Sequence, residues 1–243
     1  METKPNRRDF MKLTTAAGIP LALGAFPDSA FGQIEEGGKV GEGGQDRPVQ
    51  EDEFSLFETI RSRRSVRQFK PTPVPEEHLL RILDAARLAP TSGNQQPWKF
   101  LVIQDPGVID ELKEACVQRS LEARRARGMP ATEEVAESVR TSLQGYFSAP
   151  AYIVVLTDGE SRYPTYNHWD GPMAAGYLML AARALGYGTV FVTDSIPAEV
   201  TKEVLNIPDR YTRVCITPLG VPETWPDSPE KKGLDEFILY EMF

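Results

Sequence analysis

The chain has 243 residues, 41% apolar and 26% charged, the composition of a globular protein able to bury one sizeable core. Its formal charge is −8, and Lys4, Arg7, Arg8 and Lys12 outnumber Glu2, Asp9 and Asp28 in the first 32 residues, leaving −9 on the remainder. An acidic body argues against nucleic acid as the main partner.

In chain order, residues 1–32 come first. Arg7-Arg8-Asp9-Phe10-Met11-Lys12 is followed by a moderately apolar run over 13–26, interrupted by Gly18 and Pro20. The run is too short and too broken for an ordinary membrane-spanning helix. The order of features resembles a twin-arginine export signal, with small residues Ala30 and Gly32 placed for cleavage before Gln33. It implies transient contact with the twin-arginine export machinery and a periplasmic or otherwise exported location. Residues 33–52 are rich in Gly, Glu, Asp and Gln and read as a flexible tether. The folded domain is expected over 53–243.

The spacing of Phe54, Leu56, Phe57 and Ile60 predicts a helix over 54–63. At its end stands Arg63-Arg64-Ser65-Val66-Arg67-Gln68-Phe69. Guanidinium forks and a hydroxyl suit phosphate oxygens. A helix C-terminus also favours cations for its own reasons, so the cluster alone equally describes a solvated basic helix end. Residues 75–88 form an amphipathic helix with Pro75, Glu76 and Glu77 in its first turn. Ala89-Pro90-Thr91-Ser92-Gly93-Asn94-Gln95-Gln96-Pro97-Trp98 then makes a polar turn leading into a strand over 99–104.

Helices are expected over 108–127 and 132–147, followed by a buried strand over 151–157. A helix over 172–185 is apolar or small nearly all round and is expected to be buried on most sides. Strands are expected over 188–194 and 213–220, with a helix between them. Residues 236–243 end the chain as an apolar, aromatic segment. Helices and strands in this order fit an α+β layer fold. There is no Gly-rich phosphate loop and no dinucleotide fingerprint. Cys116 and Cys215 show no metal or redox spacing, and His78 and His168 share none, so no metal site is expected. Cys215 reads as a small core residue, and His78 as a helix-surface residue.

The cationic segment and the polar turn about 25 residues later together resemble the nitroreductase family, over residues 54–243. That resemblance implies a three-layer fold, a central mixed sheet flanked by helices, in an intertwined homodimer whose C-terminal strand joins the partner's sheet. It implies FMN as cofactor. By position, Arg63, Arg64, Ser65 and Arg67 match the segment that grips the FMN phosphate and ribityl chain and reaches the pyrimidine edge. Pro90, Thr91, Ser92 and Asn94 match the loop along the flavin that builds the site across the dimer interface. Thr193 and Asp194 match the strand end whose backbone approaches flavin N5 and O4. Lys231 or Lys232 matches a late basic residue, often arginine, that returns to the phosphate.

The implied reaction is a two-electron ping-pong transfer of hydride through flavin N5. It runs from NAD(P)H or another small-molecule donor to a nitroaromatic, quinone or related electrophile, with no catalytic side chain required. An FMN-binding or electron-transfer protein without turnover is an alternative, as is a flavin-dependent dehalogenase or dehydrogenase of the same superfamily. The substrate pocket is expected within residues 118–146. Tyr146, Phe147, Tyr163 and Tyr166 are candidates to line it, and each also reads as an ordinary core or surface aromatic.

Overall fold

The structure, a computed structural model, describes residues 55–242. The expected export signal, the tether and Phe54 lie outside those residues. Ser55 starts α1 (Leu56–Ser62), its hydroxyl accepting from the Glu58 N–H at 3.3 Å. α2 (Glu76–Arg87) carries Glu76 and Glu77 in its first turn, where the dipole favours them, and buries Leu79, Ile82 and Ala86. β1 (Trp98–Ile103) leads into α3 (Pro106–Ala126), capped by Asp105, and α4 (Glu133–Leu143), capped by Thr132. Then come β2 (Ala151–Asp158), α5 (Asn167–Ala184), β3 (Gly188–Thr189), α6 (Ala198–Val204) and β4 (Tyr211–Gly220).

The strands lie side by side in the order β1-β2-β4-β3, and each neighbouring pair is antiparallel. One parallel bridge, Ser65 to Thr189, makes the sheet mixed at its β3 edge. β2 is buried along nearly its whole length, and its period of two divides the core. Ala151, Ile153 and Val155 face Leu79, Ile82 and Ala86 of α2 and Ala175, Leu178 and Ala182 of α5. Tyr152, Val154 and Leu156 face Leu112, Cys116 and Val117 of α3, Ala136 of α4 and Val200 of α6. Two helical layers on one sheet give the expected three-layer α+β fold.

Three elements differ from the sequence reading. The strand expected over 188–194 is only Gly188–Thr189, with an isolated return at Val192, which exchanges hydrogen bonds with Ile216 at 3.0 and 3.1 Å. The helix expected to start at Pro172 starts at Asn167, with Pro172 inside it. The helix expected over 132–147 ends at Leu143, and residues Gln144–Phe147 tighten into a 3₁₀ turn. The C-terminal segment contains the 3₁₀ turn Leu234–Glu236, and Leu234, Phe237, Leu239, Tyr240 and Met242 are exposed.

The cationic segment is built onto the sheet edge. Val66 N–H donates to Thr189 C=O at 3.0 Å, Lys70 N–H to Val221 C=O at 2.8 Å, and Glu223 N–H to Gln68 C=O at 3.1 Å. Val66 and Phe69 point into the core, while Arg67 and Gln68 stay exposed. This approach needs a residue without a side chain at 188. A Cβ there would lie 2.7 Å from Val66 Cγ2 and 2.9 Å from Pro222 Cγ. Gly188→Ala is therefore expected to cost about 1–3 kcal/mol by overpacking, read as a lower urea midpoint at unchanged slope.

Candidate functional site

The end of α1 gathers positive charge. The Arg63 N–H closes the helix by donating to Thr59 C=O at 2.9 Å. Arg64 folds back, and its Nη1 donates to the carbonyls of Arg61 and Arg63 at 2.6 and 2.7 Å. Its Nε is buried with no hydrogen-bond partner. Arg183, from the last turn of α5, joins the group. Its Nε donates to Ser62 Oγ at 2.9 Å, and its guanidinium lies 3.9 Å from the Trp225 ring centroid. Arg183 is buried, and burial together with the Arg64 charge holds its pKa below the ordinary arginine value. Two neighbouring guanidiniums and a buried Arg64 N–H without an acceptor make this a site suited to an anion.

Along the segment, Ser65 and Arg67 line a cavity of about 310 Å³ with Gln68, Gly145, Tyr146 and Thr224. Gly145 comes so close that a Cβ there would lie 2.9 Å from Arg67 O. The Tyr146 phenol is held below its usual pKa, first by Ser195 and then by Arg67. The Arg67 guanidinium lies 5.9 Å from the Tyr146 ring centroid. Tyr146 thus joins the cationic segment to the 193–196 loop, two regions that the sequence reading assigned to one site. Phe147 and Tyr163 pack elsewhere, Phe147 beside Tyr152 with ring centroids 6.0 Å apart.

Thr193 and Asp194 are exposed in that loop. Behind them, Arg213 Nη1 donates to Ile196 C=O at 2.6 Å and to Thr201 Oγ1 at 2.9 Å. Its Nη2 donates to Thr193 C=O. Arg213 and Arg183 were not predicted as site residues. No local pattern marks them, because only the fold brings them to the site.

The turn at 90–97 is organised by one buried carboxylate, Asp170 in the first turn of α5. Asp170 accepts from Thr91 Oγ1 at 2.7 Å, Ser92 N–H at 3.1 Å and Gln95 Nε2 at 2.8 Å. The Tyr163 N–H donates to Gln95 Oε1 at 2.7 Å, and Gln96 N–H donates to Thr91 Oγ1 at 3.3 Å. The backbone takes positive φ at Gly93, Asn94 and Gln96. A Cβ on Gly93 would lie 2.6 Å from Tyr163 Cε2. Pro90 and Asn94 remain exposed. Within this one chain the turn is tied to α5, with no hydrogen bond to the cationic segment among the described residues.

Lys232 pairs with Glu236 at 3.2 Å and Lys231 is exposed, so neither is held at the arginine cluster. The expected substrate segment contains the α3–α4 hairpin, clamped by Arg140. That guanidinium reaches Glu114 at 3.1 Å, Glu133 at 2.7 Å and Glu137 at 3.3 Å. His78 is half-buried, its Nδ1 2.7 Å from Tyr187 Oη. Burial pushes the Cys116 thiol up to about 11 and the Cys215 thiol up to about 12. Neither cysteine is placed to react.

A family model described as the nitroreductase family matches residues 60–221. A 5,6-dimethylbenzimidazole synthase of Rhodobacter capsulatus is 33% identical over 187 residues, covering 72% of this chain and 87% of that protein. An iodotyrosine deiodinase of Thermotoga neapolitana is 30% identical over 179 residues, covering 73% of this chain and 91% of that protein. Among solved structures, an FMN-dependent nitroreductase of Clostridium difficile aligns with a TM-score of 0.58 at 26% identity, covering 76% of this chain and 98% of that one.

Asp170→Asn replaces one acceptor oxygen with an amide that faces donors already in place. It is expected to cost about 1–3 kcal/mol. The Ser92 amide should then exchange faster with deuterium than in the wild type, while amides in β2 stay protected.

Proposed function

The chain belongs to the nitroreductase family, and from that premise we propose an FMN-dependent oxidoreductase that passes two electrons from a small-molecule donor to a nitroaromatic, quinone or related electrophile. The observation that carries this reading is the buried, unpartnered Arg64 Nε beside Arg183, with Ser65 and Arg67 next to it. FMN supplies the redox chemistry when bound. Arg63, Arg64 and Ser65 would hold its phosphate. Arg67 would supply positive charge to the ring, which would favour the reduced, anionic form. The 193–196 loop offers backbone donors to the other edge. The chain needs no general acid or base of its own.

The working form is a homodimer. Trp169, Met173 and Tyr177 recur every four residues on the outer face of α5, and all are exposed in the single chain. Leu56, Phe57 and Ile60 of α1 and the apolar end of the chain are exposed as well. An apolar surface this extensive calls for a partner. A second copy would also bring a 90–94 turn to each arginine cluster. Sedimentation of the wild type is expected to give a dimer, and Met173→Asp is expected to give monomers that lose flavin. A wild-type monomer that retains flavin would rule the dimer out.

The enzyme acts after export, on the strength of the Arg7–Arg8 segment, and its donor is a quinol or a redox partner protein, because reduced nicotinamides are cytoplasmic. The test is an anaerobic spectrum of the purified holoprotein. A flavin band near 450 nm (about where any oxidised flavin absorbs) is expected, bleached by a soluble quinol faster than by NADPH. Bleaching by NADPH alone would overturn the donor assignment. Absence of flavin even after reconstitution would overturn the cofactor. Arg63→Ala and Arg67→Ala should each weaken FMN retention by about 1.5–3 kcal/mol, measured by equilibrium dialysis.

A further inference from the structure

β4 supplies one half-buried cation, Arg213, to the back of the 193–196 loop. Where a continuous strand over 188–194 would pair its carbonyls with β4, the chain leaves the ladder after Val192. The Arg213 guanidinium takes over, donating to Thr193 C=O, Ile196 C=O and Thr201 Oγ1. Thr201 in turn donates to Pro197 C=O at 3.1 Å, so α6 backs the same anchor. Burial holds the Arg213 pKa below its usual value, the cost of keeping a charge at this depth.

The peptide between Thr193 and Asp194 is trans, as are all peptides among the described residues. In a trans peptide the C=O and the following N–H point in opposite directions. With Thr193 C=O fixed on Arg213, the Asp194 N–H is turned away from Arg213. It has no hydrogen-bond partner among the described residues. The next residue, Ser195, contacts Tyr146, which lines the cavity with Arg67. The loop is therefore anchored at its back by Arg213 and joined to the cavity wall through Ser195 and Tyr146.

We infer that Arg213 is a positioning residue that aims the Asp194 amide N–H at the polar edge of the flavin ring. This rests on the FMN reading above and adds to it a residue that no local motif marks. Arg213 touches neither cofactor nor substrate. It acts by fixing the plane of one peptide.

The test compares the wild type with Arg213→Met, which keeps the length and removes the donors, and Arg213→Lys, which keeps the charge and fewer donors. FMN affinity is measured on apoprotein by fluorescence quenching. Deuterium exchange is followed with and without FMN in peptides covering 63–69 and 190–197. In the wild type FMN should protect both regions. Arg213→Met should bind FMN about tenfold more weakly and lose protection over 190–197 while keeping it over 63–69. Arg213→Lys should fall between. Wild-type affinity and wild-type protection over 190–197 in both variants would overturn the inference. If Arg213→Met fails to fold, Arg213→Lys decides. Loss confined to 190–197 supports the role, and unchanged behaviour refutes it. A wild type that binds no FMN would refute the cofactor reading itself, and this inference with it.

Discussion

The hydrogen bond from Val66 N–H to Thr189 C=O, 3.0 Å long, decides where the charge of this protein lies. It makes an extended segment, fresh from the end of α1, the outermost member of the sheet. Val66 and Phe69, three residues apart, enter the same core, and Arg67 and Gln68 between them stay outside, so the segment does not follow strict strand alternation. Because the segment is fixed by backbone groups and two buried apolar side chains, its backbone is in place before any ligand arrives, and the Arg64 guanidinium is tied to the end of α1 as well. Gly188 permits the approach, and Gly145 permits the 3₁₀ turn after α4 to close over Arg67. The cavity is the space that these close contacts leave.

Holding like charges together has a cost. Arg64 and Arg183 repel, and Arg183 is desolvated as well. The fold offsets part of this with carbonyl acceptors for Arg64, the Ser62 hydroxyl for Arg183 and the face of Trp225. The buried Arg64 Nε remains without a partner. A bound phosphate would relieve the repulsion and satisfy the donor together, so ligand binding and stability should be linked. Asp170 solves the opposite problem at the other end of α5. There a buried carboxylate is surrounded by donors from a turn with three positive φ angles, and it holds that turn in a shape its own sequence would not keep.

Much of this was legible in the sequence. The apolar run over 151–157 became the doubly buried β2, and the spacing in 75–88 became α2, because those patterns report burial directly. Arg63, Arg64, Ser65 and Arg67 could be grouped because they are neighbours in the chain. The departures share a physical cause. The apolar and small run that marks this helix begins at Pro172, but Asp170, which meets the 90–97 turn, lies in the α5 turn before it. Residues 188–194 were expected to form one strand. It breaks because a side chain from β4, Arg213, replaces the ladder. Arg183 and Arg213 reach the site only through tertiary packing, and a linear pattern carries no record of that. Gln95 and Gln96 belong to the turn that carries the family resemblance, and the structure adds a physical reason for the first, since Gln95 bridges Asp170 and the Tyr163 backbone.

The central claim is that the arginine cluster is a preformed receptor for the phosphate of FMN. The most direct measurement compares apoprotein affinity for FMN and for riboflavin, which differ by that phosphate alone, across a salt series. The account predicts FMN binding at least ~100-fold tighter at low salt, the difference expected from about two charge-assisted contacts, with the gap narrowing as salt rises. Equal affinities for the two flavins, unchanged by salt, would contradict it.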